Sequence, residues 1–255
     1  MRERGKERSF VMVRTATLVL LVLSALLAGF VTGFAEDPTA EEVLERTRAA
    51  WQGESFHGFA ALDVGAGEQT KSYRMEIWTQ GEETALLRIL EPADQAGSGY
   101  LMTEDELWYY APDLGDAIKL PSTALSSSLF GAGPALDDLF RSTLSEDYEV
   151  SMTTDADGYV LTLVPHPDTP VVYGRLEIDV RPDYALERIV YYDQRNNVLQ
   201  TATFRDDLTL DDRVLPTTIT IIDADGDTTI QRLIDPEFAV DLDPSLFTVE
   251  TLEAP

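Results

Sequence analysis

Two histidines, His57 and His166, are the imidazoles of this chain, and it contains no cysteine. Thiol catalysis and sulfur-ligated metals need a thiolate, so both are excluded. His57 stands at a strand start beside Gly58, and His166 lies in a turn between Pro165 and Pro167. Neither has a partner nearby in sequence that would orient it as a base, and both read as surface residues. A serine nucleophile is usually held on a Gly-x-Ser-x-Gly elbow; Gly97-Ser98-Gly99 falls short of that motif.

Carboxylates are the other candidates. The alternating acids of Asp223-Ala224-Asp225-Gly226-Asp227 and Asp155-Ala156-Asp157-Gly158 could line a loop around a calcium ion. An EF-hand loop begun at Asp223 needs glycine at its sixth position and a bidentate acid at its twelfth, where this chain has Thr228 and Ile234. Both stretches read instead as hairpin turns. Paired acids such as Asp137-Asp138, Asp206-Asp207 and Asp211-Asp212 could suggest a glycosidase, but a chain this acidic produces such pairs by chance. The residues support no catalytic set, no metal site and no cofactor, and the expectation is a protein that is not an enzyme.

Charge narrows the partners. The chain of 255 residues carries 19 Lys and Arg against 46 Asp and Glu, a formal net charge of -27. Such a surface repels nucleic acid and anionic headgroups. The acids are spread along the chain, as in proteins of salt-rich habitats or in an acidic exported protein of an ordinary bacterium. Five bases between Arg2 and Arg14 precede an uncharged apolar run from Thr15 to Gly29, and Gly33-Phe34-Ala35 offers small residues for cleavage. Residues 1–35 read as a secretory signal cleaved after Ala35, which makes the protein periplasmic; the rival is an uncleaved anchor from Thr15 to Phe34. Residues 36–255 then form one domain.

The domain must position a large amount of apolar surface. In the stretch from Tyr73 to Pro112, Tyr73, Met75 and Ile77 alternate with Arg74, Glu76 and Trp78, and turn residues separate this run from three more apolar ones. That is the pattern of an antiparallel sheet with one face buried. Six such segments lie between Phe56 and Leu120 and seven between Tyr148 and Phe238, the latter including Val171 to Val180 and Val198 to Asp206. A helix is predicted over Asp37 to Gly53, with Thr39 and Glu42 as a capping box. The segment from Pro121 to Ser145 breaks the strand pattern, and its apolar residues Leu125, Leu129, Phe130, Leu136, Leu139 and Phe140 suit either a lid or a plug at one barrel end. Leu246 and Phe247, after Pro244, are expected to pack on the sheet. The fold class is mainly β: a single curved antiparallel sheet forming an unclosed barrel, with the N-terminal helix and a helical lid.

The candidate ligand-facing residues are Tyr73, Met75, Ile77, Leu87, Ile89, Tyr100, Met102, Trp108, Tyr110, Ile189, Tyr191 and Phe204. Enclosing acyl chains would use them at about 0.8 kcal/mol for each methylene taken from water.

Met75 to Trp78, Leu87 to Asp94, Gly97 to Met102 and Leu107 to Pro112 resemble the run that marks periplasmic outer membrane lipoprotein-sorting proteins, the LolA-like family. Ile189 to Asp193, Leu199 to Phe204 and Asp243 to Phe247 are similar in order and spacing to the same group. The resemblance implies an open β-barrel carrier that holds acyl chains of lipoproteins or other lipids on their way to the outer membrane. It also implies an inner-membrane exporter, ABC-type or resistance-nodulation-division-type, and an outer-membrane acceptor as partners. Arg88 matches the arginine of the strand before the Pro-Ala-Asp turn, and no lid-latching role is carried over to it. The alternative from another class is a non-enzymatic sensor or interaction module that regulates an envelope-stress or export complex.

Overall fold

The computed structural model describes residues 37–51, 53–65, 70–81, 83–103, 106–121, 124, 147–167, 169, 171–210 and 213–254. The leader, the expected cleavage point and the six lid candidates lie outside the described residues. The chain divides into a unit of Met1–Pro38 and a unit of Thr39–Pro255, and the elements below belong to the second. Among the described residues no helix is long and apolar enough to cross a membrane.

Helix α1, Ala40–Trp51, begins with a reciprocal cap. The Thr39 hydroxyl accepts the Glu42 backbone N–H at 3.2 Å, and the Glu42 carboxylate accepts the Thr39 N–H at 3.1 Å. Two of the otherwise unpaired amides of the first turn are thereby satisfied. One face of the helix is buried, with Val43 at 0% and Leu44 at 5% exposure.

Thirteen strands follow: β1 Ser55–Gly65, β2 Lys71–Gln80, β3 Thr84–Glu91, β4 Gly99–Thr103, β5 Glu106–Tyr110, β6 Ile118–Leu120, β7 Tyr148–Thr154, β8 Tyr159–Pro165, β9 Arg175–Val180, β10 Leu186–Tyr192, β11 Val198–Leu210, β12 Arg213–Asp223 and β13 Thr228–Phe238. They form one sheet in the order β6-β5-β4-β3-β2-β1-β13-β12-β11-β10-β9-β8-β7, with every neighbouring pair antiparallel. Two meanders thus meet where β1 pairs with β13. Strands β6 and β7 are the two ends of the order, so the sheet is an unclosed barrel. Helix α1 touches β7, β8 and β12. Three strands separate β8 from β12, so the sheet curves around the helix and the helix side is its inner face.

The turns have the chemistry their sequences predict. Asp155 Oδ1 accepts the N–H groups of Asp157 and Gly158 between β7 and β8. Asp223 Oδ1 accepts those of Asp225 and Asp227 between β12 and β13. These carboxylates are turned onto their own loops, which is the hairpin role. Gly158, at φ +144°, is required: a Cβ there would stand 2.2 Å from the Val180 carbonyl oxygen.

Two strand ends differ from expectation. Strand β9 starts at Arg175 and not at Val171, because Val171 N–H turns back to the Thr169 carbonyl. Strand β11 runs past Asp206 to Leu210 with no change of register. Asp206 adopts φ 61°, its carbonyl accepts the Thr217 hydroxyl at 2.6 Å, and the ladder continues in the same register at Asp207 opposite Pro216.

After β13 a single 3-10 turn, Pro244–Leu246, leads to a short helix α2, Val249–Glu253. Leu246, Phe247, Val249 and the fully buried Leu252 pack on Leu86 and Leu101. The sequence pattern anticipated Leu246 and Phe247 but missed α2. Its signal is Thr248, whose hydroxyl accepts the Thr251 N–H at 3.1 Å as the helix cap.

Candidate functional site: the inner face of the open barrel

Directly opposed residues in an antiparallel ladder share a face, so the register assigns every side chain to one side of the sheet. From β1 outward, Ala60 opposes Met75, Leu62 opposes Tyr73, and Gly58 opposes Ile77. Met75 then meets Ile89, Ile77 meets Leu87, Leu87 meets Tyr100, and Ala85 meets Met102. Seven of the candidates therefore lie on one face. Tyr73, Met75, Leu87 and Ile89 are buried with Ala60, Leu62 and Val64, at 1% to 7% exposure, and Ile77 and Tyr100 pack against them.

The same face continues through the other meander. Ala60 opposes Leu233 and Leu62 opposes Gln231, and Gln231 in turn opposes Ile219. Ile219 meets Phe204, Ile221 meets Ala202, and Ala202 meets Ile189. Ile189 then meets Ile178, which meets Leu161. Phe204, Ala202 and Ile221 form a cluster to which Ile189 and Tyr191 belong at the margin. Ile189 and Tyr191 also border the cluster that Val43 and Leu44 of α1 make with β7, β8 and β9. One inner face thus runs across the sheet, apolar in each meander and crossed on β13 by Gln231 and Thr229, with α1 seated on its β7–β9 part. The Thr47 hydroxyl on the buried side of α1 has no hydrogen-bond partner.

Two of the twelve sequence candidates point elsewhere. Trp108 opposes Leu101, and Tyr110 opposes Gly99, on the side where Trp78, Leu86 and Arg88 lie. Both pack with the C-terminal segment. The reason is parity: in Leu107-Trp108-Tyr109-Tyr110 the inner residues are Leu107 and Tyr109. Tyr109, which the sequence reading passed over, opposes Tyr100 with ring centroids 4.9 Å apart. Burial, together with Tyr109, pushes the Tyr100 phenol up to about 12.

The outer face carries the polar bridges. Asp63 on β1 accepts from Ser72 on β2 at 2.7 Å and from Arg232 on β13 at 2.8 Å. Those hydrogen bonds hold its carboxyl below the usual range. At the other end of the same seam, His57 Nε2 lies 2.9 Å from Glu76 and Nδ1 lies 3.8 Å from Glu237, with the ring stacked on Trp78 at 5.4 Å. His57 is therefore a partnered, half-buried residue; its partners come from across the sheet, where sequence proximity does not reveal them. Arg88 is also an outer residue. It donates from Nη2 to the Thr251 carbonyl at 2.6 Å, which ties α2 to β3. An open hollow elsewhere on the surface is lined by Asp157, Arg181, Pro182, Asp183 and Glu187. Its one cation, Arg181, is already paired with Asp183 at 2.8 Å and Asp207 at 2.6 Å. Among the described residues no group of three or more His, Cys, Asp or Glu side chains is arranged to hold a metal ion.

Sheet order, curvature and the inner apolar surface define an open β-barrel of the LolA type. Its fold is similar to that of a LolA superfamily protein from Nitrosomonas europaea, with 24% identity, a TM-score of 0.69, and coverage of 83% of this chain and 98% of that one. A DUF1329 family protein from Desulfovibrio piger aligns over 85% of this chain and 100% of its own, with 17% identity and a TM-score of 0.76. A domain from Vibrio parahaemolyticus assigned as an outer membrane lipoprotein-sorting protein aligns over 85% and 98%, with 19% identity and a TM-score of 0.72. At these identities the likeness is one of fold. Residues 81–254 match a family model described only as "Uncharacterized protein"-like, and the chain belongs to that family. No curated protein matches the chain.

Proposed function

We propose that this protein is a non-enzymatic periplasmic carrier that holds acyl chains of lipoproteins or other lipids against the inner face of its open barrel and moves them towards the outer membrane. The observation that carries the reading is the inner face that the register carries from β4 through β1 and β13 to β8, apolar in both meanders. Its residues by this proposal are Tyr73, Met75, Ile77, Leu87, Ile89, Tyr100, Met102, Ile189, Tyr191 and Phe204. The segment with Leu125, Leu129, Phe130, Leu136, Leu139 and Phe140 serves as the lid. Each methylene removed from water contributes about 0.8 kcal/mol, so a long chain supplies enough to outweigh the cost of opening the site. An inner-membrane exporter of the ABC or resistance-nodulation-division type loads it, and an outer-membrane acceptor unloads it. The fold likeness to LolA superfamily proteins supports the same reading.

Native mass spectrometry of the full chain recovered from a bacterial periplasm tests it. Carriage predicts a bound population heavier by the mass of an acylated lipid, released by detergent. Protein that is lipid-free in every preparation, and that takes up no fluorescent fatty acid, refutes it.

A further inference from the structure

The tyrosines of the inner face are not scattered. Because the meanders are antiparallel, the strand ends Gly65 and Lys71, Glu91 and Gly99, Tyr110 and Ile118, Pro165 and Arg175, Tyr192 and Val198, and Asp223 and Thr228 all lie at one rim of the barrel. Tyr73 is the third residue of β2, Tyr100 the second of β4, and Tyr109 the last but one of β5. Tyr148 opens β7, Tyr191 is the last but one of β10, and Tyr173 lies two residues before the start of β9. All six are therefore at the rim end of their strands. The register puts Tyr73, Tyr100, Tyr109 and Tyr191 on the inner face. Tyr173 and Tyr191 meet at 4.8 Å, and the Tyr148 hydroxyl donates to the Tyr173 carbonyl at 3.4 Å.

Amide and hydroxyl groups accompany them: Gln200 opposes Tyr191, and Thr229 opposes Val64. Farther from the rim the same face carries Ile219 and Phe204 at mid-strand and, at its far end, Ala85, Met102 and Leu107 in one meander and Leu186 in the other. Tyr159 does stand at that far end, but its ring is stacked on Tyr184, and Tyr184 is engaged by Arg46 of α1. The inner face is thus graded along the strands, with more tyrosines at this rim than at the far end. Tyrosine suits a boundary of this kind, having an apolar ring and a polar tip.

We infer that the tyrosine rim is the headgroup subsite of the carrier, and that it takes the uncharged, hydroxyl-bearing head of an acylated glycerol, with the chain running towards Met102 and Phe204. The inference rests on the carrier reading above. Charge selects the head: the described turn residues of this rim carry Asp94, Asp113, Asp116, Asp193, Asp225 and Asp227 against one arginine, Arg195, a balance that repels a phosphate. Length fits as well. From Tyr73 to Thr79 the inner face of β2 extends roughly 20 Å, the scale of an extended long acyl chain.

Two photoreactive monoacylglycerols, with a diazirine on the head or at the end of the chain, are bound to the full-length protein, irradiated and mapped by peptide mass spectrometry. The head probe is expected on peptides holding Tyr73, Tyr191 or Gln200, and the tail probe on those holding Met102 or Phe204. Saturable labelling with the pattern reversed, or alike for both probes, overturns the orientation and leaves carriage standing. No saturable labelling from either probe overturns carriage itself. In competition, the monoacylglycerol is expected to displace the head probe about tenfold better than a lysophosphatidate of the same chain; equal or reversed potency refutes the headgroup class. A diacylglyceryl-cysteine peptide, run beside the monoacylglycerol, distinguishes a lipoprotein source from a free lipid. The better competitor of those two names the source, and either one supports the subsite.

Discussion

Leu252 is fully buried against Leu86 and Leu101 at the outer face, at 0%, 0% and 1% exposure. Truncating it to alanine removes three carbons from a closed site. Leu→Ala changes in such sites cost about 2–5 kcal/mol, and a terminal segment that can settle into the void belongs in the lower half of that range, about 3 kcal/mol. For a domain of this size each kcal/mol lowers Tm by about 2–4 °C, so the expected loss is about 6–12 °C. Ligand binding should be unchanged, because the truncated side chain packs in the outer-face cluster. The assay is a thermal melt followed by circular dichroism, beside a fluorescent fatty-acid titration on the same preparation. A Tm within about 1 °C of the parent is too small for a core truncation and would mean that α2 is not docked. A tenfold loss of affinity in the folded variant would mean that the outer face, with Trp108 and Tyr110, is the binding face after all.

Three further outcomes follow from particular contacts. Asp63→Asn should cost most at neutral pH: a carboxyl lowered by Ser72 and Arg232 contributes stability that is complete above its unfolded value near pH 4 and lost as pH falls through the lower native value. Denaturant midpoints of parent and variant should therefore converge on acidification, and a gap that widens towards low pH would contradict the assignment. Gly158→Ala places a Cβ against the Val180 carbonyl at positive φ and should destabilise by more than about 1 kcal/mol in urea titration; a neutral result would show that the β7–β8 turn is not in this conformation. Trp108→Leu should leave fatty-acid affinity within about twofold while Leu87→Asp abolishes binding, since the two residues lie on opposite faces; equal losses from both would undo the assignment of faces.

Strand periodicity and turn residues made the architecture legible because both are local. Asp157-Gly158 and Asp225-Gly226 mark the turns at which they occur, and Thr39 with Glu42 forms the cap that their spacing predicts. Ladder parity was harder to read. In Leu107-Trp108-Tyr109-Tyr110 all four residues are apolar or aromatic, so hydrophobicity does not say which two face inward; only pairing with β4 does. Partnerships across the sheet were not legible at all. His57 meets Glu76 on β2 and Glu237 on β13, far away in sequence. The continuation of β11 past Asp206 was hidden for a related reason, since Asp206-Asp207 has the composition of a strand end and the pairing with β12 is what keeps the strand going. The rim of tyrosines likewise emerges only when six separate strand ends are brought to one side.

The most direct test of the central claim is a displacement titration with Met75→Asp and Ile77→Asp in the full chain. Met75 is 3% exposed, between Ala60 and Ile89, whereas Ile77 is only half-buried and should accept a carboxylate with less damage to the fold. An unpaired carboxylate on an apolar surface opposes acyl-chain contact by several kcal/mol. The account predicts that both variants keep the far-UV β signal and that each binds a fluorescent fatty acid more than about tenfold more weakly than the parent. Parent-like affinity in a folded Ile77→Asp variant would contradict it.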